Sequence, residues 1–175
     1  LSAQKKGWKR VIALAPFCPD KTAWQNAFAK KIIEKCDRYL AITGNYWMAC
    51  LKNSPFWHWE PKIVHLDLAV NRSNFPLIKK KFNQRKKRRF LYIGHTGWYK
   101  NIKYLEKLAL KLPETEFAWM GGNQILKNIK TLGKYDFSSQ EAKNLIQEYD
   151  FMITLGSADA NPTTILEAMA WGLIP

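Results

Sequence analysis

The chain has 175 residues, 47% of them apolar and 14% aromatic, and a formal net charge of +14 at pH 7. This length and composition are typical of a globular protein of one or two domains. No apolar run approaches the roughly 18 residues that a membrane-spanning helix needs. The three cysteines are odd in number and not at metal-ligand spacing, so we expect reduced thiols in a cytoplasmic protein.

Residues 1–70 predict alternating strands and helices. Short apolar runs bounded by Pro or Gly indicate buried strands, and apolar residues at helical spacing indicate helices between them. This alternation favours parallel strand pairing. The predicted strands are Val11–Ala15, Tyr39–Thr43 and Lys62–Val70, the predicted helices are Asp20–Cys36 and Asn45–Asn53, and Ser54–Pro61 is predicted as a loop.

The charge is concentrated in residues 71–89, which contain nine basic and no acidic side chains. Residues 1–70 carry 11 basic and 5 acidic side chains, whereas residues 90–175 are nearly neutral. Charge, composition and periodicity change together here, which predicts a basic inter-domain connector. Its residues Lys79–Arg89 fit an anionic membrane surface. Phe82 alone does not form a base-stacking platform, so no specific nucleic acid is predicted. A solvated connector with no partner is the alternative.

Residues 90–175 predict a second run of strands and helices. A helix begins at Asn101, and Ser138 with Glu141 has the pattern of a capping box before another helix. The predicted strands are Phe90–Gly94, Glu116–Met120, Ile129–Leu132 and Phe151–Leu155.

Four loops follow the carboxyl ends of these predicted parallel strands, the edge at which open α/β sheets bind ligands. Lys100 lies at the mouth of a helix and can reach phosphate as a point charge. The loops therefore predict a site for a phosphate-bearing ligand. They span His95–Lys100, Gly121–Asn123, Gly133–Tyr135 and Gly156–Asn161, and their candidate binding residues include Gly94, Gly97, Gly122 and Gly133. No metal cluster is predicted.

The stretch from Gly156 to Pro175 predicts a loop and a helix start. With Asn161 as N-cap, the amide groups of Thr163 and Thr164 form an anion site at the positive end of the helix dipole. Glu167 shares their helical face, and Asp159 lies in the preceding loop. The alternative is a capped surface helix with a solvated glutamate.

An acid at Asp159, seven intervening residues, and then Glu-Ala-Met-Ala-x-Gly-x-x-Pro from Glu167 resemble the signature of group 1 (family 4-like) retaining glycosyltransferases, which have the GT-B fold. The resemblance implies that Asp159 contacts the donor sugar and Glu167 the ribose. It also implies that amides near Thr163 and Thr164 hold the diphosphate. Lys100 matches a family lysine that grips the diphosphate, whereas His95 stands where the family has arginine.

The resemblance implies an α/β fold of the GT-B type, with Rossmann-like parallel sheets flanked by helices. We expect the end of an N-terminal acceptor-side domain in residues 1–70, the connector in 71–89, and an incomplete donor-binding domain in 90–175. The missing initial Met and the stop at Pro175 predict a fragment of a longer protein, truncated at both ends and inactive in isolation.

The implied activity is hexosyl transfer, with retention, from a nucleotide diphosphate sugar to a glycan or lipid-linked acceptor. The resemblance implies no cofactor and no metal. The implied location is cytoplasmic, on the inner face of the membrane. The alternatives are an inactive nucleotide-sugar-binding protein and a basic module that binds nucleic acid or membrane.

Overall fold

The computed structural model describes residues 7–19, 30–157, 159 and 161–175. The chain divides into two compact units. The first comprises Leu1–Leu68 and Asp159–Asn161, and the second comprises Ala69–Ala158 and Pro162–Pro175. Within the described ranges, no helix has the length and apolar character needed to cross a bilayer.

The first unit contains a parallel sheet of three strands in the order β1-β2-β3. Side chains alternate across the sheet, so Tyr39 and Ala41 of β2 are buried on one face. They pack with Phe17, Ile33 and Leu51 in one hydrophobic core. The elements are β1 (Ile12–Pro16), β2 (Arg38–Ile42), α1 (Asn45–Lys52), a 3₁₀ helix (Trp57–Lys62) and β3 (Ile63–Leu66).

Two predictions for this unit are wrong in detail. The segment predicted as a loop forms a 3₁₀ helix, because Trp59 is buried and stacks on Phe56 with ring centroids 4.8 Å apart. Strand β3 ends at Leu66 rather than at Val70. Most of the predicted helix Asp20–Cys36 lies outside the described residues, although residues 30–33 are helical.

The second unit is built on a four-stranded parallel sheet in the order β6-β5-β4-β7. The central strand β4 contains Leu91, Tyr92 and Ile93, which are all buried, as its continuous apolar run predicts. The chain goes outward from β4 to β5 and β6 and then returns to place β7 on the other side. The strands are β4 (Arg89–Ile93), β5 (Glu116–Met120), β6 (Lys130–Gly133) and β7 (Phe151–Met152).

Helices cover both faces of this sheet. On one face, Ala168 and Trp171 pack with Leu91 and Ile93. On the other face, Leu105 and Ala109 pack with Tyr92, Phe117 and Trp119. The helices are α2 (Ile102–Lys111), α3 (Gln140–Ile146) and α4 (Thr163–Trp171).

The ends of these elements correct two predictions and confirm one. The N-cap of α3 is Ser139, whose hydroxyl accepts from the amide of Ala142, whereas Ser138 bonds to Asp136. Strand β7 has two residues rather than five, because the ladder with β4 stops at Met152. Gly172 ends α4 in the left-handed conformation with φ of 93°, as predicted.

Residues 71–89, predicted as a connector, are part of the second unit. The amides of Ile78 and Lys79 donate to the carbonyl of Trp171 at 3.1 and 2.8 Å. The Lys79 side chain is buried and pairs with Asp150 at 3.1 Å. This part of the basic segment is therefore packed into the unit rather than solvated.

Candidate functional site

The strand order of the second unit places a topological switch between β4 and β7. Loops that follow such neighbouring strands diverge to opposite sides of the sheet and leave a crevice at its carboxyl edge, which is where ligands bind in open α/β sheets. The parallel pairing of all four strands confirms that the predicted loops begin at one edge. We call this edge the carboxyl edge of the second sheet.

Glycines allow the backbone to pack closely at the carboxyl edge. The Gly94 amide donates to Met120 O at 3.0 Å, and its carbonyl accepts from the Trp119 indole at 2.7 Å. Gly121 has φ of 140°, and a Cβ there would collide with the Gly94 carbonyl. The Gly121 amide in turn donates to Gly133 O at 2.8 Å. Side chains are therefore excluded from this close approach of the two backbone segments.

Gly122 and Gly133 continue this arrangement. They form an isolated antiparallel bridge, and a Cβ on Gly122 would collide with the ring of Trp119. Gly133 has φ of 93°, with Asn123 Oδ1 3.5 Å from where its Cβ would lie. Three of the four predicted loops are thus joined through glycine backbone.

The loop after β4 holds a small polar cluster. His95 Nδ1 accepts a hydrogen bond from the Gly97 amide at 3.0 Å, so a neutral His95 carries its proton on Nε2. Nε2 lies 3.1 Å from the Tyr99 hydroxyl. With Nε2 as donor, the hydroxyl of Tyr99 keeps its own proton for another acceptor. The cluster therefore includes the Tyr99 hydroxyl beside the predicted site residue His95, and sequence reasoning did not single out this tyrosine.

Lys100 ends a 3₁₀ helix, Trp98–Lys100, which leads into α2. The Lys100 amide donates to Gly97 O at 2.8 Å, and its carbonyl accepts from the Tyr92 hydroxyl at 2.7 Å. Its ammonium lies 5.5 Å from the centroid of the Tyr99 ring, within cation–π range. These contacts place a positive charge over the Tyr99 ring.

The loop after β7 contacts the loop after β4. The Ser157 amide donates to Tyr99 O at 2.8 Å, and a Cβ on Gly156 would lie 3.3 Å from the same oxygen. The backbone at Tyr99 is therefore contacted by the loop after β7, on the other side of the topological switch between β4 and β7.

Helix α4 begins at Thr163, two residues after the predicted cap. Its N-cap is Pro162, which makes no side-chain capping bond, and the Pro162 carbonyl accepts from the Ile165 amide at 3.1 Å. The prediction of Asn161 as N-cap is wrong. Pro162 holds an extended conformation with φ of −74° and ψ of 95°, so the helix starts after it.

The anion site at the start of α4 stays a prediction. Thr163 and Thr164 are the first two residues of the helix, so their amides have no acceptor within it. The first turn of α4 contains no acidic side chain. An acidic side chain there would compete with a bound anion for the positive end of the helix dipole.

Glu167 lies one turn into α4 on the face predicted. Its side chain is half-buried, and this burial raises the pKa of the carboxyl above its usual range. Asp159 and Asn161 are grouped with the first unit, where the Trp47 indole donates to the Asp159 carbonyl at 2.7 Å. The residues predicted for the site are therefore divided between the two units.

Among the described residues, no group of three or more His, Cys, Asp and Glu side chains could hold a metal ion. The chemistry of the second-unit site rests on amide groups, hydroxyl groups, one ammonium and one half-buried carboxyl. Such a set suits a phosphate-bearing ligand with hydroxyl groups.

Comparison with solved structures identifies the fold. The chain is similar to lipopolysaccharide outer core galactosyltransferase WaaB, with a TM-score of 0.64 and 18% identity over 98% of this chain and 50% of WaaB. It is also similar to TarM, with a TM-score of 0.62 and 13% identity over 93% of this chain and 35% of TarM. These neighbours are GT-B glycosyltransferases, so the chain has the fold that the sequence predicted.

A mutant of S. aureus TarM has been solved in complex with fondaparinux, α-GlcNAc-glycerol and UDP, and it matches with a TM-score of 0.66 and 14% identity over 93% of this chain and 35% of that one. The chain therefore spans between about a third and a half of the length of these structures. No protein-family model and no curated protein sequence matches the chain.

Proposed function

We propose that this chain is the donor-binding part of a retaining glycosyltransferase that transfers a hexose from a nucleotide diphosphate sugar to a glycan or lipid-linked acceptor. The observation that carries the proposal is the strand order, which places the glycine-containing loops, the loop that holds Lys100 and the loop that leads into α4 after the carboxyl ends of parallel strands. The GT-B fold supports it, as does the Glu167–Pro175 signature. The UDP and sugar ligands of the TarM mutant point to a uridine nucleotide.

In the proposed reaction the leaving diphosphate gains negative charge as the bond to the sugar breaks. That negative charge is stabilised by the Lys100 ammonium, the Tyr99 hydroxyl and the amides of Thr163 and Thr164. Fixed donors of this kind each lower the barrier by about 2.7 to 4 kcal/mol in a site that excludes water. No metal is required by the proposal, since these groups supply the positive potential.

The carboxylates orient the donor. Glu167 accepts hydrogen bonds from the ribose, and its half-buried position makes that pairing favourable because the ligand replaces lost water. Asp159 contacts the transferred sugar. Gly94, Gly97, Gly122 and Gly133 let the nucleotide approach the backbone, and Asn161 and His95 contribute further polar groups.

One observation favours a second candidate. His95 occupies the place where the resembled family has arginine, and its Nδ1 is already engaged by Gly97. A neutral histidine stabilises a diphosphate less than a guanidinium does. The second candidate is therefore a nucleotide-sugar-binding protein that has lost catalysis. In that case the full-length protein would bind the donor but would not turn it over.

The test is a thermal-shift screen of the chain against UDP, GDP, ADP and CMP. A nucleotide at 100 times its dissociation constant stabilises the folded state by about 2.7 kcal/mol. We expect one nucleotide to shift the melting temperature, and Glu167→Ala and Lys100→Ala to abolish the shift. Glu114→Ala and Lys103→Ala, which change exposed residues of the same unit, are the matched controls and keep it.

No shift with any nucleotide, in a chain that melts cooperatively, would contradict the proposal. Equal loss in the control variants would also contradict it, because the response would then not depend on the carboxyl edge.

A further inference from the structure

The structure divides eight of the nine cations of residues 71–89 into two sets, and the ninth, Arg72, is exposed and lies outside both. Lys79, Arg88 and Arg89 lie within 4 Å of carboxylates of the same unit: Lys79 and Arg88 pair with Asp150, and Arg89 with Glu116 and Glu148. A second set is exposed and lies within a stretch that contains no acidic residue. We call it the basic surface, and it consists of Lys80, Lys81, Arg85, Lys86 and Lys87.

The basic surface is held in place at both ends. Before it, the amides of Ile78 and Lys79 bond to Trp171 O. In its middle, the Asn83 amide donates to Asp150 Oδ1 at 2.7 Å, and the Asn83 side chain donates to Glu148 O and Asp150 Oδ2, each at 2.9 Å. After it, the Arg89 amide donates to Asp150 Oδ2 at 3.1 Å. The exposed cations therefore project from a fixed backbone rather than from a free linker.

The basic surface lies at the opposite edge of the sheet from the proposed donor site. Arg89 is the first residue of β4, and Gly94 follows the last. A five-residue strand separates the two by about 16 Å at roughly 3.3 Å per residue. The donor phosphates therefore do not account for these cations, and the inference below is independent of the proposed function.

The apolar residues of the segment favour a lipid surface over a nucleic acid. Leu77 is 55% exposed and Phe82 is 43% exposed, on either side of Lys80 and Lys81. Lys79 and Arg88 lie 6.0 and 5.2 Å from the Phe82 ring centroid, which fixes the ring without covering it. Peripheral membrane binding typically combines the two kinds of side chain: cations bind the lipid head groups, and neighbouring apolar side chains enter the interfacial region of the bilayer. A single ring does not form a stacking platform for bases.

We propose that the basic surface docks the chain onto an anionic lipid bilayer, with Leu77 and Phe82 entering the head-group region. The Asp150 contacts hold the segment in the conformation that presents the cations. The carboxyl edge, which faces the other way along the strands, stays open to a soluble donor.

The test is co-sedimentation of the chain with phosphatidylglycerol-containing vesicles and with neutral phosphatidylcholine vesicles. The variant carries Lys80→Gln, Lys81→Gln, Lys86→Gln and Lys87→Gln. The matched control carries Lys103→Gln, Lys107→Gln, Lys111→Gln and Lys127→Gln, which are exposed cations elsewhere in the same unit and remove the same charge. A single-stranded oligonucleotide serves as the competing anionic probe.

We expect binding to anionic vesicles only. The variant should bind them at least tenfold more weakly, because each cation near an anionic surface contributes a factor of about five. The control should bind within about twofold of the unchanged chain, and both should melt at its temperature. Equal weakening in variant and control, or none in the variant, would overturn the proposal. Tighter binding to the oligonucleotide than to vesicles, lost in the variant, would assign the surface to nucleic acid instead.

Discussion

The two ends of the strands in the second sheet differ in how their carboxyl groups are surrounded. We call the end at which the strands begin the amino edge, and the end at which they finish is the carboxyl edge. At the amino edge, Asp150 is fully buried and receives hydrogen bonds or ion pairs from Asn83, Lys79, Arg88 and Arg89. At the carboxyl edge, glycines replace side chains, a helix begins without a side-chain cap, and a half-buried carboxyl has a raised pKa. The buried carboxylate at the amino edge is satisfied by groups of its own unit, whereas burial disfavours the ionised form of Glu167 at the carboxyl edge.

The pKa values of Asp150 and Glu167 are shifted in opposite directions. Burial opposes ionisation of Asp150, but hydrogen bonds from Asn83 and Arg89 and the contact with Lys79 outweigh it and lower its pKa to about 2 from 3.8. The stabilisation is present at pH values above the pKa of Asp150 in the unfolded chain, and it is lost as the pH falls through its pKa in the folded chain. The shift in pKa corresponds to about 2 kcal/mol of unfolding free energy. Burial of Glu167 raises its pKa, so ionised Glu167 costs folding free energy. Asp150 stabilises the fold, and Glu167 is retained at a cost that binding can offset.

The largest expected effect follows from breaking the amino edge. Asp150→Asn leaves the buried Lys79 ammonium without its counter-charge, which typically costs about 3 to 5 kcal/mol of unfolding free energy. Urea denaturation measures the loss, and the fall in stability between pH 4 and pH 2 should also shrink. Glu148→Gln, at an exposed ion pair, is the control and should cost less than about 1 kcal/mol. Similar losses in the two variants would show that the amino edge is not organised around Asp150.

The next effect tests the close backbone packing at the carboxyl edge. Gly121→Ala forces a Cβ against the Gly94 carbonyl at a φ of 140°, and we expect it to cost about 3 kcal/mol, the upper end for local strain. Gly133→Ala also has a positive φ but meets only an ordinary contact with Asn123, so it should cost about 1 kcal/mol. Denaturation midpoints measure both. Equal costs would mean that the Gly121–Gly94 approach is not a constraint.

Glu167→Gln should change stability and binding in opposite directions. Below about pH 4.5 both folded and unfolded Glu167 are largely protonated, and the cost of ionising it in the fold grows as the pH rises through the raised folded pKa. The variant should therefore be more stable than the unchanged chain at pH 7, with the difference shrinking at pH 4. Its nucleotide affinity should fall by about 1.5 to 3 kcal/mol, the range for a hydrogen bond to a charged group.

Calorimetric titration and thermal melts at the two pH values measure this pair of effects. Lower stability together with unchanged affinity would assign Glu167 a structural role and contradict its place in the site.

The smallest effect concerns the residue that the sequence did not indicate. Tyr99→Phe removes the hydroxyl that contacts His95 while keeping the ring and its cation–π contact with Lys100. We expect nucleotide affinity to fall about fivefold, the value of one neutral hydrogen bond, with little change in melting temperature. Tyr104→Phe, an exposed tyrosine on α2, is the matched control. A loss of stability without a loss of affinity would make the Tyr99 hydroxyl structural.

Much of the fold could be predicted because it follows from local periodicity. Glu116–Met120 is the strand that the sequence predicted, and α2 begins within one residue of its predicted start, since buried strands and amphipathic helices carry strong patterns. The carboxyl-edge location of the loops followed from parallel pairing alone. Gly172 could be predicted as a helix end because the left-handed conformation favours glycine.

The remaining features depend on contacts between segments distant in sequence or on choices between adjacent residues. Ser138 and Ser139 are chemically equal as caps, and only the bond from Ala142 selects the second. Asn161 is a better cap than Pro162 in isolation, yet the helix begins after the proline. The role of Tyr99 requires a histidine tautomer set by Gly97, which no pattern displays. Lys79 was predicted to face an anionic surface, because nothing local in the sequence indicates its partner Asp150, 71 positions away.

An amide NMR titration of the chain with UDP locates a donor site residue by residue. We expect shifts concentrated at the carboxyl edge, in Gly94, Gly97, Gly121, Gly122 and Thr163, with Asn83 and Asp150 unchanged. Lys100→Ala should remove these shifts. Shifts concentrated on the basic surface, or none at concentrations of UDP that saturate other nucleotide-binding proteins, would contradict the assignment of a donor site to the carboxyl edge.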